Sequence, residues 1–214
     1  MKILSLRKGF ASDHSSTSYE FMAVDKPLGK AERDEVARIS DKRPTSRKAS
    51  FIYRGNYNDI PGGWESLMRK YYDVMYFESY DRYTLAFAFN AAPGQLDELY
   101  QYQFSYNDWD VVKIDSGDGN RIIVVLFCAL QIGPYCFDDD EFEGIECPWF
   151  FKLMMEIRKQ LMSGDYRILY ALRENYPPEY DPEDEEDVPP PKPKDLETGA
   201  DVIKSLQRFL TELY

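Results

Sequence analysis

The feature that most restricts this chain is an unbroken apolar run of nine residues, Ile122 to Leu130. It opens with four β-branched residues, Ile122, Ile123, Val124 and Val125, which favour extended backbone over helix. A membrane-spanning helix needs about 20 such residues. SGDGN (116–120) precedes the run, and Asp110–Ile114 precedes that, so the two arms read as a hairpin with a loop of about five residues. An arm that is apolar at every position, rather than at alternate ones, is a strand buried on both faces, in the interior of a sheet. Tyr83–Ala91 supplies a second strand. Leu85, Phe87 and Phe89 alternate with Thr84, Ala86 and Ala88, giving one face of large side chains and one of small.

Shorter strands are expected near 2–6, 19–24, 49–53 and 110–114. A surface helix is expected over 29–39, with a thin apolar stripe of Val36 and Ile39, and a short helix over 94–101. Trp64–Tyr71 has helical composition. In the following YYDVMYFESY (71–80) a strand competes with a continuation of that helix. Phe150, Leu153, Met154, Ile157 and Leu161 share one face of a helix over 149–162. Gly164 stops it, and Asp165 can cap the next helix, 166–175. The expected fold is α+β: a mostly antiparallel sheet with helices 64–71, 149–162 and 166–175 on one face.

Charge and proline divide the chain further. Formal net charge is −12, carried by two runs: six acids in 138–146 and seven in 179–187. The other 25 acids balance 26 Lys/Arg, so no body-wide negative surface of the kind a DNA mimic needs is present. Residues 1–54 reverse the bias, with 12 bases against 7 acids, which suits a local anionic partner or pairing with the acidic runs. The segment YPPEYDPEDEEDVPPPKPKD has seven prolines and is expected to be extended or disordered. The chain therefore divides into a single domain (1–176), an acidic proline-rich linker (177–195) and a terminal amphipathic helix (196–214). Val202, Leu206, Phe209, Leu210 and Leu213 form the apolar side of that helix and the candidate partner-binding surface. With three cysteines, no apolar leader in MKILSLRKGF and no membrane span, the expected setting is a reducing cytoplasm.

Candidate chemistry is sparse. His14 is the only histidine, so any histidine-dependent proton transfer must use it, with Ser15 or Ser16 beside it as nucleophile. No G-x-S-x-G elbow accompanies the serines, and ASDHSSTS also reads as a polar, hydroxyl-rich loop. Asp73, Glu78 and Asp81, set among tyrosines and just after Trp64 and Arg69, could line a polar pocket and do acid–base work if they converge. The alternative is tyrosines half-buried on a sheet. Cys128, Cys136 and Cys147 have gaps matching no usual zinc spacing, and 138–141 lacks the EF-hand alternation, so no metal site is assigned. Neither a P-loop nor a G-x-G-x-x-G string is present, and no cofactor is expected. Lys42, Arg43, Arg47, Lys48 and Arg54, interleaved with Phe51 and Tyr53, could form a single-stranded nucleic-acid strip.

Three strings, DHSSTSYEFMAVDKPL (13–28), IPGGWESLMRKYYDVMYFESYDRYTLAFAF (60–89) and MSGDYRILYALRENY (162–176), together resemble a group of bacterial proteins of unassigned function. The resemblance covers much of residues 10–176 and implies one recurring module, with no activity attached. Arg82 stands where the group more often has an aromatic residue. The functional expectation is a non-enzymatic bacterial accessory protein acting through protein–protein contacts within a larger complex. A hydrolase centred on His14 and a nucleic-acid binder using 42–54 are the alternatives.

Overall fold

The structure is a computed structural model and describes residues 17–40, 42–53, 60–78, 82–106, 109–117, 119–129, 148–176, 190–194 and 196. Seven strands form one sheet in which every neighbouring pair is antiparallel. They are β1 (Thr17–Met22), β2 (Lys48–Tyr53), β3 (Val74–Glu78), β4 (Arg82–Asn90), β5 (Phe104–Tyr106), β6 (Trp109–Asp115) and β7 (Arg121–Ala129), in the order β2-β1-β3-β4-β7-β6-β5. The fold is α+β, and the central pair is made by the two segments with the strongest strand patterning. β4 and β7 pair from Arg82↔Ala129 to Asn90↔Arg121, and Ile122 to Leu126 are at most 2% exposed.

Five helices pack on the sheet: α1 (Lys30–Val36), α2 (Trp64–Lys70), α3 (Gln95–Tyr100), α4 (Pro148–Met162) and α5 (Arg167–Asn175). The alternation in β4 sets what each face receives. Leu85, Phe87 and Phe89 meet Leu153, Met154, Ile157 and Leu161 of α4, Ile168, Leu169 and Leu172 of α5, and Leu99 of α3. The opposite face carries Ala86 and Ala88, and the depth these small residues leave is filled by Leu67 and Met68 of α2, Val36 of α1 and Tyr72. The expectation that helix 64–71 shares a face with 149–162 and 166–175 is therefore corrected: α4 and α5 lie on the Leu/Phe face and α2 on the alanine face. Burial on both sides explains why β7 is apolar throughout.

Local sequence accounts for several boundaries. The Glu32 carboxylate of α1 accepts the Gly29 N–H at 2.5 Å, closing its first turn. Gly164, with φ +79°, ends α4. Its N–H reaches Leu161 O at 3.2 Å while the Asp165 N–H reaches Gln160 O at 3.0 Å, the paired bonds of a Schellman stop. Asp165 lies one residue ahead of the α5 N-cap, Tyr166, and accepts from the Arg167 N–H at 3.3 Å and from Arg167 Nε at 2.8 Å. Thr17 and Ser18, expected in a polar loop, are buried in β1 because that strand is flanked by β2 on one side and β3 on the other. In 71–80 the strand β3 prevails over helix, and β5 adds a three-residue strand that no periodicity announces.

The described part of the linker touches the domain. Pro190 is buried, Leu196 packs partly buried against the Leu/Phe-face core, and Lys192 Nζ lies 3.2 Å from Glu174 Oε1. The expected strand 2–6, the acidic run 138–146 and the terminal helix 197–213 lie outside the described residues.

Candidate functional site

The most connected polar group of the described residues is Asp73, which leads into β3. Its backbone extends the sheet: the Asp73 N–H donates to Met22 O at 2.9 Å, and Ala88 N–H donates to Asp73 O at 2.8 Å. Its carboxylate is 7% exposed and surrounded by donors. Oδ2 accepts the backbone N–H groups of Val24 at 2.7 Å and Asp25 at 2.9 Å. Oδ1 accepts Arg121 Nη2 at 2.8 Å and lies 3.6 Å from Arg158 Nη2.

Both arginines are fixed in turn. Arg121 begins β7, and its Nε and Nη2 also donate to the carbonyls of Met68 (3.0 Å) and Tyr72 (2.8 Å), serving carbonyls at the C-terminal end of α2. Arg158 comes from α4. Its Nε donates to Ala88 O at 2.8 Å, and its two terminal nitrogens grip the Asp25 carboxylate at 2.8 and 2.5 Å. Asp25, Asp73, Arg121 and Arg158 thus make an electrically neutral quartet that joins the β1–α1 connection, β3, β7 and α4. Asp73 and Arg158 are buried while Asp25 is exposed, and the buried charges are tolerable because each is paired and hydrogen-bonded.

Beside the quartet opens a polar cleft of about 330 Å³, a size that suits a small ligand. It is lined by Arg121 and Asp73, by Asn90 at the end of β4, by Lys70 and Tyr71 at the end of α2, and by Lys26 and Glu32. A second arginine of the lining, Arg69, is held by an ion pair to Asp115. Its guanidinium lies across Gly117, where a Cβ would collide with it, so the β6–β7 turn needs glycine there both for this contact and for its φ of +53°. Burial, reinforced by a hydrogen bond to the Glu35 carboxylate, pushes the Tyr71 phenol up to about 12.

Of the residues nominated from sequence, Asp73 lines the cleft. It sits ahead of β3 and Glu78 at the far end of that strand, so their backbones are five residues apart, about 16 Å at the usual strand rise. His14, Ser15, Ser16 and Asp81 lie outside the described residues, as do Val202, Leu206, Phe209, Leu210 and Leu213. In the basic strip, Arg47 Nη1 donates to the carbonyls of Ala23 (2.9 Å) and Val24 (2.8 Å), and Arg43 Nη2 lies 3.4 Å from Asp34. Lys42 is exposed, Lys48 opens β2, and Arg54 is outside the described residues. Arg158 and Arg121 were not nominated. The only sequence hint of Arg158 is its place on the apolar side of α4, four residues after Met154 and three before Leu161.

No group of three or more His, Cys, Asp or Glu residues suited to a metal ion occurs among the described residues. Nor is any helix among them long and apolar enough to cross a membrane. Compared with known proteins, the chain matches no family model, no curated protein and no solved structure, so its function has to be read from its own residues.

Proposed function

We propose that this chain is a non-enzymatic accessory protein of the bacterial cytoplasm, acting through protein–protein contacts within a larger complex. The observation that carries this reading is the state of Asp73. Asp73, nominated for acid–base work, accepts two backbone N–H groups and an arginine, with a second arginine beside it. A carboxylate so engaged holds loops and strands together. The polar residues at this end of the sheet thus make a rigid base, which suits a scaffold better than a catalyst. The contacts are assigned to the chain beyond residue 176, where an acidic proline-rich stretch leads to the apolar set Val202, Leu206, Phe209, Leu210 and Leu213. Pro190 is buried and Leu196 packs against the core of the domain. For the hydrolase alternative, His14, Ser15, Ser16 and Asp81 lie outside the described residues. The nucleic-acid alternative has Arg47 committed to backbone carbonyls.

The test is a quantitative pull-down from native cells, comparing the full chain with a Leu206→Ser/Phe209→Ser/Leu213→Ser variant. Loss of specific partners at least tenfold, with the fold unchanged by circular dichroism, is the expected result. Recovery of every partner at the wild-type level sinks the reading.

A further inference from the structure

The cleft beside the quartet has a charge pattern that the scaffold reading does not use. The quartet itself is neutral, with Asp25 and Asp73 facing Arg121 and Arg158. Arg69 is neutralised by Asp115. Glu32 is bound to the Gly29 N–H, and its nearest cation is Lys26 at 4.0 Å. Lys26 and Lys70 remain in the lining with Glu32, and the Glu35 carboxylate adjoins it through its hydrogen bond to Tyr71. Lys70 is exposed and has no ion-pair partner among the described residues. The lining residues, Lys26, Arg69, Lys70 and Arg121 against Asp25, Glu32 and Asp73, thus carry one net positive charge.

The donors are also arranged. Arg121 is held by bonds from Nε and Nη2, so its remaining nitrogen, Nη1, is fixed in direction without being used by them. Asn90, directly opposite Arg121 in the β4–β7 ladder, adds an exposed amide to the same wall. A guanidinium immobilised in advance binds an oxyanion without the ordering cost of a free side chain. The exposed lysines add charge that can adapt to different ligands.

We propose that this cleft binds a small oxyanion-bearing molecule, a carboxylate or a phosphate, through Arg121 and Asn90 with the exposed Lys70 and Lys26 beside them. At about 330 Å³, it has room for the anionic group and a modest body attached to it. The proposal is independent of the terminal segment and goes beyond the scaffold reading.

The full chain is titrated with inorganic phosphate, with a nucleoside 5′-monophosphate and with succinate, by calorimetry and by ¹H–¹⁵N NMR of the Asn90 amide and the Arg121 Nε–H. At least one probe is expected to bind saturably, to shift both resonances, and to weaken as ionic strength rises. Which probe binds separates phosphate from carboxylate recognition. Lys26→Gln/Lys70→Gln, two surface changes that leave the quartet intact, is expected to weaken binding roughly tenfold. Arg43→Gln, outside the cleft, is expected to leave it unchanged. The proposal is overturned if none of the three probes saturates, if the double variant binds as tightly as wild type, or if the shifts map elsewhere.

Discussion

A single carboxylate at the end of a strand holds more of this molecule than any of its apolar residues taken singly. Asp73 gathers two backbone amides and an arginine from β7, with an arginine from α4 close by. Asp73→Asn leaves both guanidiniums in place with half of their counter-charge gone. Removing one partner of a buried pair typically costs about 3–5 kcal/mol, and we expect a loss in that range by urea denaturation. Asp34→Asn, at the exposed Arg43 pair, should stay within about 0.5 kcal/mol. Tyr71 contributes on the alkaline side, together with Tyr72, Tyr102 and Tyr166, whose phenols burial also pushes up. An unfolded tyrosine ionises near 10, whereas Tyr71 in the fold is pushed up to about 12. Between these values the unfolded chain releases a proton that the native one keeps, so the stabilisation is complete below about pH 10 and is lost as pH rises toward 12. Tyr71→Phe should therefore show a shallower decline of the urea midpoint over that window than wild type. At this scale the sequence is least legible. Asp73 can be noticed as a carboxylate among tyrosines, but its role depends on Asp25, Arg121 and Arg158, which lie 48 or more residues away in the chain.

Elements are more legible, and the exceptions have physical causes. β4 and β7 carry strong period-two and all-apolar signals, and they become the central pair of the sheet. β3 has neither signal in clean form. Its aromatic and β-branched residues suit helix or strand, and the choice is settled by the free edges of β1 and β4 on either side. β5 has three residues, too few for any period to show. The side of the sheet a helix takes is also hidden, because an apolar stripe does not say which face it will meet. Here the alanines of β4 decide: they leave room for Leu67, Met68 and Tyr72, while the Leu/Phe side already presents bulk to α4 and α5. One connection makes a sharp test. The β6–β7 turn is braced to α2 through Arg69, which lies on Gly117 and pairs with Asp115. Gly117→Ala introduces a strained φ and displaces that guanidinium, and should cost about 1–2 kcal/mol in urea denaturation. Gly94→Ala, also at positive φ but with open space around it, should cost about 1 kcal/mol.

For the whole molecule, α+β class and antiparallel pairing were readable from the residues, whereas the division of helices between the faces was not. The cleft lies where the turn at 69–73 meets the ends of β4 and β7, so its walls come from segments that no local pattern brings together. Arg158 has a further bearing on the molecule as a unit. It leaves a helix of one layer, passes the end of the sheet, and closes on Asp25, in the connection that leads to α1 of the other layer. This grip links the two layers directly. Hydrogen exchange should accordingly find the slowest amides of α4 and β1 opening at one common free energy, and Arg158→Met should separate them into two. A body whose halves melt together offers any binding partner a platform that does not yield under load.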